Sequence, residues 1–403
     1  MSIELAARLG AVAPSATLAM AAEAAKLTAR GVKVFSFSVG EPDFPTPAHV
    51  IEAANQALAA GATRYTAVTG TPELKAAIIE ATKRDRGYET TADRITVSCG
   101  AKHALFNLAA ALYDPGDEVI IPAPYWVSYP EQVRMMGAVP IIAETTAAGG
   151  FRLTPEALAA AVTPRTKALI LCTPSNPTGA AYDEASLRAL LELAAQGSYY
   201  VIVDEIYADL VYGGFKHASA GRLGASLGDR LIIVDGVSKT YAMTGWRIGW
   251  SISGPKVAKA LAVIQGQSTT NPAAVSQAAA RAALLGPRES VESMRVAFER
   301  RRDRMVGGLN ALGLPCRTPE GAFYAFAEVS SLLGAKVTSA GAETTLATDD
   351  DIAMWLLSEA HVATVAGTPF GAPGFLRLSY ATSDADIEAG LASMARAIST
   401  ATR

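Results

Sequence analysis

Between residues 47 and 285 the chain alternates short, almost unbroken apolar runs with helix-length segments, and this alternation constrains the fold more than any other feature. The runs lie at 118–122, 139–142, 168–172, 199–203, 231–234 and 248–252. Apolar residues on successive rather than alternate positions mark strands buried on both faces, as in a mainly parallel sheet. The segments between them then read as right-handed helical crossovers. Helices are expected at 48–60, 73–84 and 101–112, with a further strand at 95–98. Ahead of these, Ser15 is placed to N-cap a helix over 16–30, and a short strand at 34–39 runs into the turn Gly40-Glu41-Pro42-Asp43. Beyond them, a long helix over 288–312 carries an arginine-rich run at 300–304 that reads as a solvated face. Strands or helices follow at 322–327, 350–359, 375–380 and 384–398, and the polar stretch 330–349 reads as a loop. The expected fold class is α/β. A large domain, 48–290, holds the mainly parallel sheet flanked by helices, and both chain ends, 1–47 and 291–403, build a smaller α/β domain.

Composition narrows the function. The formal charge is −3, without the basic stripe that a nucleic-acid binder needs. Three scattered cysteines make a poor disulfide framework and suit a reducing cytoplasm. Four histidines without ligand spacing offer no structural zinc site. Glu4 and Arg8 make the start a poor signal peptide, and no apolar run is long enough to span a membrane.

Several residues stand out chemically. Lys239 follows the strand at 231–234, and Arg247 lies eight residues on. A lone lysine in a loop is usually solvated, but one withdrawn from water becomes a nucleophilic amine, and a nearby guanidinium can fork onto a phosphate. Asp204 ends the strand at 199–203, where ligands bind in open parallel sheets. It either caps the next helix or meets a ligand cation. Gly100, Ala101 and Lys102 open a helix after a strand, which is either an anion site or simply a tight connection. The stretch 174–179, Pro-Ser-Asn-Pro-Thr-Gly, is a turn former. Trp126 lies in an aromatic segment, and Arg377 interrupts an apolar strand, where a buried arginine calls for an anion.

Taken in order, these motifs resemble the class-I, fold-type-I aminotransferases that depend on pyridoxal 5′-phosphate, over residues 14–398. The nearest branch is the bacterial aspartate aminotransferases, which carry a Pro-Ser-Ala-Thr motif like that at 14–17. The Ser238-Lys239 pair with Thr244-Gly245-Trp246-Arg247-Ile248-Gly249 is similar to the cofactor-attachment signature. The resemblance implies that Lys239 binds the cofactor aldehyde, Asp204 the pyridine nitrogen, and Asn176 and Tyr207 the phenolic oxygen. Gly100, Ala101, Lys102, Ser238 and Arg247 would hold the phosphate region, with Tyr65 reaching in from a partner subunit. Trp126 would cover the ring, while Arg377 and Gly40 take the substrate's α-carboxylate.

It further implies a homodimer with shared sites, acting on small amino and keto acids by a ping-pong route. Aspartate and 2-oxoglutarate would give oxaloacetate and glutamate. Lys102, Ser15 and Thr17, with Ser268, Thr269 and Thr270 of the partner, would receive the distal carboxylate. Relatives that also use prephenate carry a lysine where this chain has Ala13. A broader aminotransferase (aromatic, alanine, or prephenate and arogenate) and a lyase on the same fold are the alternatives.

Overall fold

The computed structural model describes residues 5–339 and 341–402. Glu4, part of the signal-peptide argument, lies outside the described residues. Helix Ala16–Ala29 starts on Ser15, whose hydroxyl accepts from the Leu18 amide at 3.5 Å. The strand expected at 34–39 is only Phe35–Ser36 (β1), parallel to Val362–Ala363. It stops there because Phe37 turns its carbonyl to the Ser379 amide, on a different strand.

Seven strands form the central sheet: Ile95–Ser98 (β2), Glu118–Pro122 (β3), Val139–Ala143 (β4), Thr166–Cys172 (β5), Tyr200–Asp204 (β6), Leu231–Gly236 (β7) and Gly249–Ile252 (β8). Their spatial order is β2-β8-β7-β6-β5-β3-β4. Strands β4, β3, β5, β6 and β7 are mutually parallel. Strand β8 is antiparallel to both neighbours, β7 and β2, so it alone is reversed. This corrects the expectation of a parallel crossover before it. The connection 237–248 holds a 3-10 turn, Thr244–Trp246, and no helix to carry a crossover, so the chain returns antiparallel. The continuous apolar runs follow from burial on both faces. Val201 and Val203 join one core cluster with Leu169 and Leu171, while Ile202 joins another with Ile121, Ile170 and Val234.

The remaining strands are Tyr324–Glu328 (β9), Lys336–Ser339 (β10), Ala342–Thr345 (β11), Val362–Ala363 (β12), Val365–Ala366 (β13) and Phe375–Ser379 (β14). A three-stranded sheet runs β13-β14-β9. The stretch expected to be a loop, 330–349, instead holds the antiparallel hairpin β10–β11, with Gly341 at φ +81°. Its polar composition hides the strands because Val337 is the one β10 side chain packed into the core, and all of β11 is exposed. Ala340 of this stretch lies outside the described residues.

The run at 300–304 is only in part a solvated face, since Arg300 and Asp303 are exposed but two of its arginines are buried. It lies in helix Glu289–Ala311, where Arg301 and Arg302 are only 7% and 6% exposed. Arg301 donates to Asp43 at 2.8 Å, with its guanidinium over Phe44 and Phe298. Arg302 lies over Tyr212 and donates to the Pro319 carbonyl. Planar guanidinium groups can stack on aromatic faces while keeping their ion pairs. Among the described residues no helix is long and apolar enough to cross a membrane.

Candidate active site

Six strands of the central sheet run the same way, so their carboxyl ends share one edge. There β2 leads to Gly100 and Ala101, β3 to Trp126 and β5 to Asn176. Asp204 ends β6 with Tyr207 just beyond, and β7 leads to Ser238 and Lys239. Reversed β8 begins where the others end, which delivers Arg247 to the same edge. Residues from all these positions line one cavity of about 270 Å³, together with Ser15, Thr17, Gly40, Lys102 and Arg377. Of the residues singled out above, Gly100, Tyr65, Ser268, Thr269, Thr270 and Ala13 are not in its wall.

Lys239 is half-buried, and its Nζ donates to the Gly40 carbonyl at 2.7 Å. Desolvation pushes its amine down to about 8, against the opposing pull of Glu41. Asp204 is buried. Its carboxylate accepts from the Tyr129 hydroxyl at 2.8 Å and from the Ile206 amide at 3.1 Å, while burial pushes it up to about 6. Gly100 starts helix Ala101–Leu112 at φ +89° with no side chain capping it, which leaves the Ala101 and Lys102 N–H groups open to a ligand. A Cβ at Gly100 would stand 2.6 Å from Arg247 Nη2, so glycine, favoured here by its positive φ, lets the guanidinium lie close beside the helix start.

Arg377 is almost fully buried in β14. It donates to Asn176 Oδ1 at 3.1 Å and to the Ser38 carbonyl at 2.6 Å, and its Nε has no partner. No carboxylate among the described residues pairs with it, and burial lowers its basicity. Lys102 places its ammonium 4.9 Å from the Trp126 ring centroid, and Trp126 meets Tyr129 edge-on at 5.3 Å. The cavity thus combines an amine, a buried carboxylate, a phenol, an amide, an uncapped helix start and three cations.

Residues 32–394 match the model of the family described as aminotransferase class I and II. The chain belongs to that family. Aminotransferases of this family depend on pyridoxal 5′-phosphate, and so does this one. The chain is 47% identical to the aspartate aminotransferase of Rhizobium meliloti (strain 1021), over 97% of this chain and 95% of that one. It is 46% identical to the aspartate/prephenate aminotransferase of Cereibacter sphaeroides, covering 93% and 94%. The Rhizobium meliloti crystal structure superimposes with a TM-score of 0.95 over the whole of both chains, at 45% identity. That of Thermus thermophilus aspartate aminotransferase with maleate gives 0.92 over 98% of this chain and 100% of that one, at 44%.

The groups in this aminotransferase's cavity suit the cofactor in kind: an amine for an aldehyde, a carboxylate for a pyridine nitrogen, and a guanidinium beside free N–H groups for a phosphate. Two further wall residues escaped the reading of the sequence. Tyr129, on helix Ser128–Met135, was visible only as part of an aromatic segment, yet its hydroxyl binds Asp204. Tyr324, on β9, sits far from every motif and touches both Tyr207 and Arg377. No spacing rule would have found it. Gly40 accepts from Lys239 through its carbonyl, whereas the resemblance implied a donor to substrate. Tyr65 is 89% exposed and shares a surface hollow with Thr269 and Thr270, away from the cavity of its own chain.

Proposed function

We propose that this enzyme moves the amino group of L-aspartate to 2-oxoglutarate, giving oxaloacetate and L-glutamate. One observation carries the substrate class: the cavity presents both Arg377 and Lys102, neither ion-paired with a carboxylate among the described residues, as a dicarboxylate requires. Names carried by close relatives support it. Pyridoxal phosphate, when bound, supplies an aldehyde and a ring that takes up electrons released at the substrate's Cα. Arg247, Ser238, the Gly100 turn and the N–H groups of Ala101 and Lys102 would hold the phosphate region. Asp204 keeps a proton on the pyridine nitrogen. Asn176 and Tyr207 hydrogen-bond the phenolic oxygen, and Trp126 covers the ring and excludes water. Arg377 orients the α-carboxylate, and Lys102, Ser15 and Thr17 receive the distal one. Lys239, an amine desolvated by the cavity, would carry the proton released at the substrate's Cα. Amino and keto acids take turns, so the kinetics are ping-pong.

We also propose the division into a large domain, 48–290, and a small one from 1–47 and 291–403. The working state is a cytoplasmic homodimer in which Tyr65, with Ser268, Thr269 and Thr270, serves the partner's site. The exposure of Tyr65 and the three unpaired cysteines support these readings. Prephenate is a second reading, favoured by relatives named for it, but Ala13 stands where those enzymes are expected to carry lysine. Mixing holoenzyme with L-aspartate tests the proposal. The visible cofactor band should collapse as oxaloacetate appears, and Lys239→Ala should show neither. A band that responds only to another amino acid would overturn the substrate.

A further inference from the structure

Tyr324 belongs to no motif, yet it joins two parts of the cavity that the mechanism treats as separate. Its ring lies under the Arg377 guanidinium, 4.6 Å from centroid to Cζ. Its hydroxyl lies 3.0 Å from the Tyr207 hydroxyl. A Cβ on Gly40 would come 2.4 Å from the same hydroxyl oxygen, so residue 40 is glycine where Tyr324 closes the wall. Tyr324 is itself fully buried on β9, paired directly with β14, and edge-on to Tyr207 at 5.9 Å. Its place is fixed by the sheet rather than by a loop.

We infer that Tyr324 is a positioning residue that holds Arg377 for the substrate carboxylate through its ring and sharpens Tyr207 as a hydrogen-bond donor through its hydroxyl. The inference rests on the roles proposed above for Arg377 and Tyr207. The two arms are physically distinct. The Arg377 guanidinium has two hydrogen bonds and an unpartnered Nε, and it lies over the rings of both Tyr324 and Phe370, the Tyr324 face being the nearer restraint on its plane. A hydroxyl whose oxygen accepts a hydrogen bond donates more strongly, because bonds in a chain polarise one another. Either hydroxyl can donate in this pair, and in the arrangement where Tyr324 donates the Tyr207 proton remains available to the cavity.

Two variants separate the arms, and both are measured as holoenzyme. Tyr324→Phe keeps the ring and removes the hydroxyl. Maleate, an unreactive dicarboxylate, should then bind within about twofold of wild type. The pH at which the cofactor's visible band changes should move upward, because a weaker Tyr207 donor stabilises its acceptor oxygen less in the anionic form. Tyr324→Leu removes both arms, so maleate affinity should fall about tenfold or more, with KM rising more than kcat falls. Unchanged maleate affinity in Tyr324→Leu overturns the ring arm, and an unmoved band in Tyr324→Phe overturns the hydroxyl arm. If Tyr324→Leu does not fold, Tyr324→Met takes its place in the same titration. Should wild-type enzyme neither bind maleate nor convert aspartate, the substrate reading fails. The wild-type to variant KM ratio for whichever amino acid it does convert then tests Tyr324 in the same way.

Discussion

At the scale of single residues, the cavity works by denying water to charged groups and then choosing what replaces it. The folded Lys239 amine, at about 8, sits below its usual 10.5. Below pH 8 the ammonium exists in both folded and unfolded chains, and its desolvation opposes folding. Between 8 and 10.5 the folded chain sheds the proton first, and that opposition fades. Lys239→Met should therefore stabilise the cofactor-free protein at pH 7 by at most about 3 kcal/mol. Urea unfolding at pH 7 and pH 10 should show the advantage shrinking as pH rises. Asp204 illustrates the opposite sign, because burial raises it and the Tyr129 hydroxyl holds it down. Tyr129→Phe should push Asp204 higher, so less carboxylate is present near pH 6. A hydrogen bond to a charged group contributes about 1.5–3 kcal/mol. The expected result is a fall in kcat/KM of about tenfold at pH 7, larger at pH 6, with the acid limb of the profile displaced upward.

Elements matter through how closely they approach. Strand β8 passes directly beneath the start of helix Ala101–Leu112, and a Cβ on Gly249 would lie 2.3 Å from the Ala101 amide nitrogen. Backbone cannot yield there as a side chain can. Gly249→Ala should cost about 1–3 kcal/mol in urea unfolding and loosen cofactor binding in dilution experiments. Helix Ala16–Ala29 is the contrary case, since only Met20 and Ala24 are buried and its first residues edge the cavity. An element with so few buried contacts opens locally at low free energy. Amide exchange over 16–29 in the holoenzyme should slow when maleate is added, as expected for a lid, and identical exchange in both states would count against that role. The arginines at 301 and 302 behave differently from either, joining helix Glu289–Ala311 to Asp43 and Pro319 through buried contacts.

For the whole molecule, the decisive question is what the exposed Tyr65 is for. Sedimentation equilibrium should return the mass of two chains, and Tyr65→Phe should weaken cofactor retention several-fold although the residue does not line the active-site cavity of its own chain. A monomer that retains the cofactor equally well in the variant would end the shared-site proposal. The order of strands and helices was legible in the sequence because a strand buried on both faces must be apolar at successive positions, as at 168–172 and 231–234. The local motifs around Lys239, Asp204, Asn176 and Arg247 were legible because their chemistry is written in neighbouring residues. Strand direction was not, because β8 differs from its neighbours only in how its connection packs. Nor was the β10–β11 hairpin, whose single inward side chain leaves almost no hydrophobic signal, nor the burial of Arg301 and Arg302, whose contacts with Asp43 and Pro319 join segments far apart in the chain. Tyr129 and Tyr324 belong with these. The sequence by itself determined the strands and helices of the large sheet and which reactive groups end them, since propensity, burial and turn chemistry act over a few residues. Only the tertiary structure decided that reversed β8 carries Arg247 to the common edge and that Tyr324 stands between Tyr207 and Arg377, because such contacts depend on packing between segments that no local pattern records.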